Sequence, residues 1–296
     1  MSATRISVLT FLTMCAFAGN SLLCRIALKD TGIDAASFTS IRLVSGALVL
    51  WAIASFFRRG RPGSGNWISA FALFAYAAGF SFAYISLPAA TGALLLFGAV
   101  QATMIGHGLL AGERLRQQQL LGLVLALGGL VGLLLPGLSA PPLVGSLLML
   151  SAGVAWGVYS LRGRGAGDPT MTTAGNFLRA SVFALLLSVL LGASRNLDMA
   201  GVGYAIASGA IASGLGYATW YTVLPALKAT NAATIQLSVP VIAALGGIML
   251  LGEPLSARLA LASAAILGGI ALVILGKARN AGSGQTGQGT PAKSRS

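Results

Sequence analysis

Charge is what this sequence has least of. Only 8% of its 296 residues are Asp, Glu, Lys or Arg, against about a quarter in an ordinary soluble domain. The 19 basic and six acidic side chains cannot coat a water-soluble globule of this length, which excludes an ordinary cytosolic enzyme. The acids are Asp30, Asp34, Glu113, Asp168, Asp198 and Glu253, and each falls in a loop or at the end of an apolar run. A proton relay or ion pump places carboxylates within its spans, and acid–base catalysis needs carboxylates that can act as a pair; neither arrangement is present. One histidine, His107, and two cysteines, Cys15 and Cys24, are too few for a zinc site. On a helix the two cysteines would stand ~13 Å apart, beyond disulfide reach. No cofactor and no metal are expected.

Apolar length is what the sequence has instead. Hydrophobic residues make up 56% of the chain, with 40 glycines and a mean hydropathy of +0.84. A membrane helix needs ~20 mostly apolar residues. Ten runs qualify: Ile6–Leu28, Ser37–Phe57, Trp67–Leu87, Ala89–Ala111, Gln118–Leu135, Leu143–Leu161, Thr172–Leu191, Gly201–Val223, Thr230–Leu251 and Arg258–Gly276. Open strands are excluded because lipid offers no partner to an unpaired backbone group. The fold class is therefore all-α integral membrane, with ten transmembrane helices and the lipid bilayer as solvent. Residues 1–19 also have the outline of a cleavable signal, ending in Ala16-Phe17-Ala18-Gly19, but the apolar run continues to Leu28, so this segment reads as the first span. Residues 280–296 are rich in Gly, Ser and Gln and read as a disordered tail.

The formal charge of +13 would suit nucleic acid, but its distribution argues otherwise, because most Lys and Arg sit in short turns between apolar runs. Arg25, Lys29, Arg195 and Arg258 fall on one set of ends, Arg42 and Arg179 fall within spans, and all other basic residues fall on the opposite set. The positive-inside rule then places both termini in the cytoplasm.

The two halves of the chain repeat. Tyr84-Ile85-Ser86-Leu87-Pro88-Ala89 matches Tyr221-Thr222-Val223-Leu224-Pro225-Ala226 at an offset of 137. Gly79-Phe80 matches Gly216-Tyr217, and Ile41-Arg42 matches Leu178-Arg179, in the same register. Further on, Gly112-Glu113 matches Gly252-Glu253 and Gly128-Gly129 matches Gly268-Gly269 at an offset of 140. Residues 5–138 and 139–279 thus form two five-helix repeats. Five is odd, so the second repeat enters the membrane from the opposite side, the plan of transporters that bind substrate between inverted halves.

Five-plus-five spans, the two Gly-Glu pairs and Pro240 ahead of Gly252 resemble the drug/metabolite transporter superfamily of the EamA type. Within it, the chain is most similar to aromatic amino acid exporters of the YddG type. The resemblance implies a ten-helix exporter of small metabolites working by alternating access. Its central cavity would be lined by the first four helices of each half, and the fifth helices would lie at the periphery. It also marks Glu113 and Glu253 as hallmark glutamates; a carboxylate before a helix favours its dipole, so capping, with pairing to Arg114 or Arg258, is the expected role.

Candidate site residues follow from periodicity on those central helices. Tyr76, Phe80 and Tyr84 share one face of the third helix at four-residue spacing. Tyr217 and Tyr221 repeat that face on the eighth, Trp156 and Tyr159 stand on the sixth, and Phe17 and Asn20 on the first. Such walls suit a planar apolar ligand, although an aromatic stripe also serves plain packing. Gln101 and Gln236 are neutral hydrogen-bonding candidates, which inside a bundle also bond merely across helices. Pro88, Pro225 and Pro240 are candidate hinges. Arg42 and Arg179 either snorkel and bond carbonyls or attract a substrate carboxylate at opposite mouths. The expected partner is a small-molecule substrate, an amino acid; nucleic acid is not expected, and the oligomeric state is left open. Broader metabolite or nucleotide-sugar carriage, or a membrane-bound enzyme or scaffold, are the rival readings.

Overall fold

A computed structural model describes residues 1–57, 65–112, 114–137, 140–163, 168–192, 197–227 and 229–283. Among these residues every regular element is helical, and ten helices are long and apolar enough to cross a membrane. In chain order they are α1 (Ala3–Asp30), α2 (Ala35–Phe57), α3 (Trp67–Tyr84), α4 (Ala89–Leu110), α5 (Gln117–Leu134), α6 (Leu143–Arg162) and α7 (Pro169–Leu190). They continue as α8 (Met199–Ala226) and α9 (Asn231–Leu251), and α10 (Ala257–Ser283). The segment read as a tail from Asn280 thus begins inside α10, and its remainder lies outside the described residues.

The scarce acids start helices. Asp34 accepts from Ser37 N at the head of α2, and Asp168 from Thr170 N and Met171 N at the head of α7, where Pro169 supplies the first-turn φ. Asp198 accepts from Gly201 N at the head of α8. Each satisfies an orphan amide and favours the helix dipole.

Two helices depart from regular geometry. Residues Ala207–Leu215 of α8 form a π-helical stretch, a feature frequent at functional sites. It lies where Gly209 presses against α2, since a Cβ there would overlap Ser45 Oγ and the Arg42 carbonyl oxygen. In α9 the helix breaks at Leu237, between Gln236 and Ser238. Pro240 cannot donate to the carbonyl four residues back, so the break falls where that hydrogen bond would have been.

Helix pairing has an internal regularity. α3 packs on α6 and α1 on α8; α4 packs on α6 and α1 on α9; α3 packs on α7 and α2 on α8. Each pairing in such a couple becomes the other when a helix is exchanged for the one five further on. α2 with α7, and α5 with α10, exchange with themselves. The α5–α10 pair is joined closely through Gly122, Gly129 and Gly269, and touches the remaining bundle mainly along α4 and the start of α9. Gly128 and Gly268 face open space, so one glycine of each doublet makes the helix contact. On α4 itself, a Cβ at Gly98 would meet Ile266 of α10 at an ordinary 3.6 Å. Gly106 meets nothing within 4 Å, and Gly153 and Gly157 of α6 make the close approach to α4 instead.

Candidate functional site

Rings from five helices meet inside the bundle. Trp156 of α6 stacks on Tyr217 of α8 at 5.3 Å and 21°, and touches Tyr76 of α3 at 4.9 Å and Tyr159 at 5.4 Å. Tyr76 continues to Phe80 at 5.5 Å and Phe80 to Tyr84 at 4.8 Å. Phe17 of α1 closes against Tyr217 at 5.6 Å, and Phe177 of α7 at 5.8 Å. Tyr221 joins through its hydroxyl, which accepts from Thr173 at 3.3 Å. The four-residue spacing along α3 is the local cause: it stacks three rings on one helix face, and α6 and α8 present theirs opposite.

A polar strand runs through these rings. Asn20 Nδ2 lies 3.4 Å from the Tyr76 hydroxyl, and its Oδ1 accepts from Ser208 Oγ at 2.6 Å. Ser208 belongs to the π-helical stretch of α8, so the irregular backbone carries a site contact. Tyr159 and Asn176 are joined at 3.5 Å, and Tyr159 donates to Thr173 at 3.4 Å. Ser208, Thr173, Asn176 and Phe177 are not among the site residues expected from the sequence, where Ser208 reads only as a small residue for close helix packing. The first three are common polar residues without periodic company, and no local pattern distinguishes them.

Arg42 is the residue whose position differs most from expectation. It does not snorkel and does not sit at a mouth. It is 1% exposed, with its guanidinium carbon 4.8 Å from the Phe80 ring centre and 5.2 Å from that of Tyr76. Nη2 donates to the Tyr76 hydroxyl at 2.9 Å, while Nε and Nη1 have no hydrogen-bond partner among the described residues. The helix positions the residue only two turns into α2, but α3 and α8 close over it. Arg179, which matches it in the sequence, is half-buried, bonds the Gly175 carbonyl and lies 5.8 Å from the exposed Trp67 ring.

Other candidates stand apart from the rings. Gln101 is buried on α4, and Gln236 bonds its own helix at Ala232 O. Glu113 lies outside the described residues. Pro88 heads α4 and Pro225 sits in the short 3₁₀ turn that ends α8.

Glu253 caps a helix, but neither its own nor with the expected arginines. Gly252 takes a left-handed conformation, φ 60°, which turns the chain back over the bundle. One carboxylate oxygen then accepts from Ala89 N, the head of α4, at 2.8 Å, and the other from Arg25 Nε at 3.1 Å. Arg25 is buried, not a loop cation, and Nη1 also donates to the Tyr84 and Ile85 carbonyls. Arg258 instead bonds the Leu135 carbonyl. At this end of the bundle Tyr84, Leu87 and Ala89 have no exposed surface. At the positions that match them in the sequence, Tyr221 and Leu224 are half-buried and Ala226 is exposed.

The profile of the EamA-like transporter family matches residues 143–275, which hold α6 to α9 and most of α10. An uncharacterized protein of Pseudomonas aeruginosa is 60% identical over 286 residues, covering 95% of this chain and 100% of its own. An uncharacterized transporter of Archaeoglobus fulgidus is 25% identical over 261 residues, 83% of this chain and 89% of its own. A crystal structure of a 21% identical chain superposes with a TM-score of 0.65, covering 93% of this chain and 99% of the other, and so shares its fold.

Proposed function

We propose that this chain, a multi-pass protein of the bacterial inner membrane, is a transporter of the EamA-like family that exports amino acids, aromatic ones included. The single observation that carries the substrate reading is the continuous ring cluster Phe17–Tyr217–Trp156–Tyr76–Phe80. Offset-stacked and edge contacts to such walls suit an aryl or bulky apolar side chain, and Asn20, Ser208 and the Arg42 guanidinium supply polar contacts for the head group.

The mechanism is alternating access between two inverted halves. The exchange regularity of the helix pairs supports that plan, because it is the contact pattern a two-fold relation between the halves would leave. The Arg25–Glu253–Ala89 junction is the outer closure, and the looser packing around Leu224–Ala226 belongs to the cytoplasmic side, with both termini. Transport runs down the substrate gradient without an obligatory coupling ion, a reading that rests on the six acids standing outside the span interiors.

Counterflow in proteoliposomes tests the proposal. Labelled phenylalanine should accumulate when unlabelled phenylalanine is trapped inside, with or without a pH gradient. Accumulation only with the gradient would overturn the facilitator mechanism. Flux of a nucleotide sugar or other metabolite, with none of phenylalanine, would overturn the substrate.

A further inference from the structure

We infer that Arg42 is the carboxylate anchor of this site, so that a transported molecule must bear a carboxylate while its ammonium group is dispensable. The inference rests on the ring cluster being the substrate site and goes on to name the chemical class it accepts: apolar or aryl monocarboxylates, amino acids among them.

The argument begins with hydrogen-bond supply. A guanidinium carries five N–H donors, accepts nothing and keeps its charge at any physiological pH. Arg42 is 1% exposed, and two of its three nitrogens donate to nothing among the described residues. A buried charge left in that state is strongly unfavourable unless something pairs with it. No resident carboxylate among the described residues does. Asp34, Asp168 and Asp198 serve helix heads, Asp30 is exposed, and Glu253 is committed to Arg25 and Ala89. The two rings against the guanidinium favour its charge through their faces without using its donors.

The acceptor that meets the guanidinium is already shared. The Tyr76 hydroxyl takes Arg42 Nη2 and lies against Asn20 Nδ2, and Asn20 Oδ1 takes the Ser208 hydroxyl. The neighbourhood therefore offers spare donors beside a positive charge. That suits an anionic carboxylate, which accepts charge-assisted hydrogen bonds from a guanidinium, whereas an ammonium group placed there would meet a charge of its own sign.

A competition panel in the phenylalanine counterflow assay tests this. 3-Phenylpropionate, which keeps the acid and lacks the amine, should compete within a few-fold of phenylalanine. Its neutral amide and phenethylamine should be about tenfold weaker or worse, the loss expected for a missing hydrogen bond to a charged group. In Arg42→Gln the acid and the amide should become equal, and Arg42→Lys should restore part of the preference. Amide or amine competing as well as the acid in the wild type overturns the inference while leaving phenylalanine transport intact. If Arg42→Gln does not fold, the wild-type panel alone decides. If phenylalanine is not carried at all, the substrate proposal fails. The anchor is then judged by thermal stabilisation of the purified wild-type protein: 3-phenylpropionate should stabilise it and the amide should not, and equal effects overturn it.

Discussion

Replacing Glu253 by glutamine should loosen the outer closure by about 2 kcal/mol. Removing one partner of a buried ion pair costs about 3–5 kcal/mol, and here both side chains are largely out of solvent, at 11% and 7% exposure. Two features reduce that figure. Arg25 keeps its bonds to the Tyr84 and Ile85 carbonyls, and the glutamine carbonyl oxygen can still accept from either Arg25 Nε or Ala89 N. A shift of ~2 kcal/mol is about 30-fold in an opening equilibrium. Thr91 reports on it: it is 5% exposed and lines the cleft beside Pro88 and Glu253. With Cys15 and Cys24 replaced and Thr91→Cys introduced, maleimide labelling from outside should accelerate by about that factor in the Glu253→Gln background. An unchanged rate in a folded variant would show that the junction does not hold this end shut.

Three further outcomes follow from the packing. Gly269→Ala should destabilise the α5–α10 pair by about 1–3 kcal/mol, because its Cβ would press on Gly122 O and Ala126 N, whereas Gly268→Ala should be neutral because that position faces open space; equal thermal shifts would refute the assignment. Gly209→Ala should lower the folded yield sharply, since its Cβ would overlap the α2 backbone at Arg42, and wild-type yield and melting temperature would contradict that close approach. Phe80→Ala and Trp156→Ala should impair counterflow by more than about tenfold, each removing a ring contact and leaving a void, while Trp67→Ala, 55% exposed and far from the cluster, should change it little; equal losses would refute the site.

The extent to which the fold could be read from sequence depended on the kind of signal. Helix number followed from apolar length, because lipid leaves the backbone no alternative. The α3 stripe was readable because four-residue spacing sets a helix face whatever packs on it. Arg42 was readable as unusual but not in its setting: a sequence shows depth along a helix, not which neighbouring helices close over it. Glu253 illustrates the same limit. Its Gly-Glu doublet announces a helix end, yet the amide it caps lies on α4 and its ion partner on α1, both contributed by the other half of the chain. Gln236 turns back onto its own helix at Ala232 O, which its polarity does not announce, because polarity inside a span says nothing about azimuth. The π-helical stretch of α8 was invisible for a different reason, since Ala, Ser and Gly there permit several helical geometries and contact with α2 accompanies this one.

The most direct test of the central claim is fluorescence from a variant that keeps Trp156 alone, with Trp51, Trp67 and Trp220 replaced by phenylalanine. Trp156 stacks on Tyr217 and touches Tyr76, so a molecule entering between the rings must change its surroundings. The account predicts a saturable emission change with phenylalanine, at concentrations matching those that support counterflow. Undiminished transport with silent Trp156 emission would contradict it and place the pathway elsewhere in the bundle.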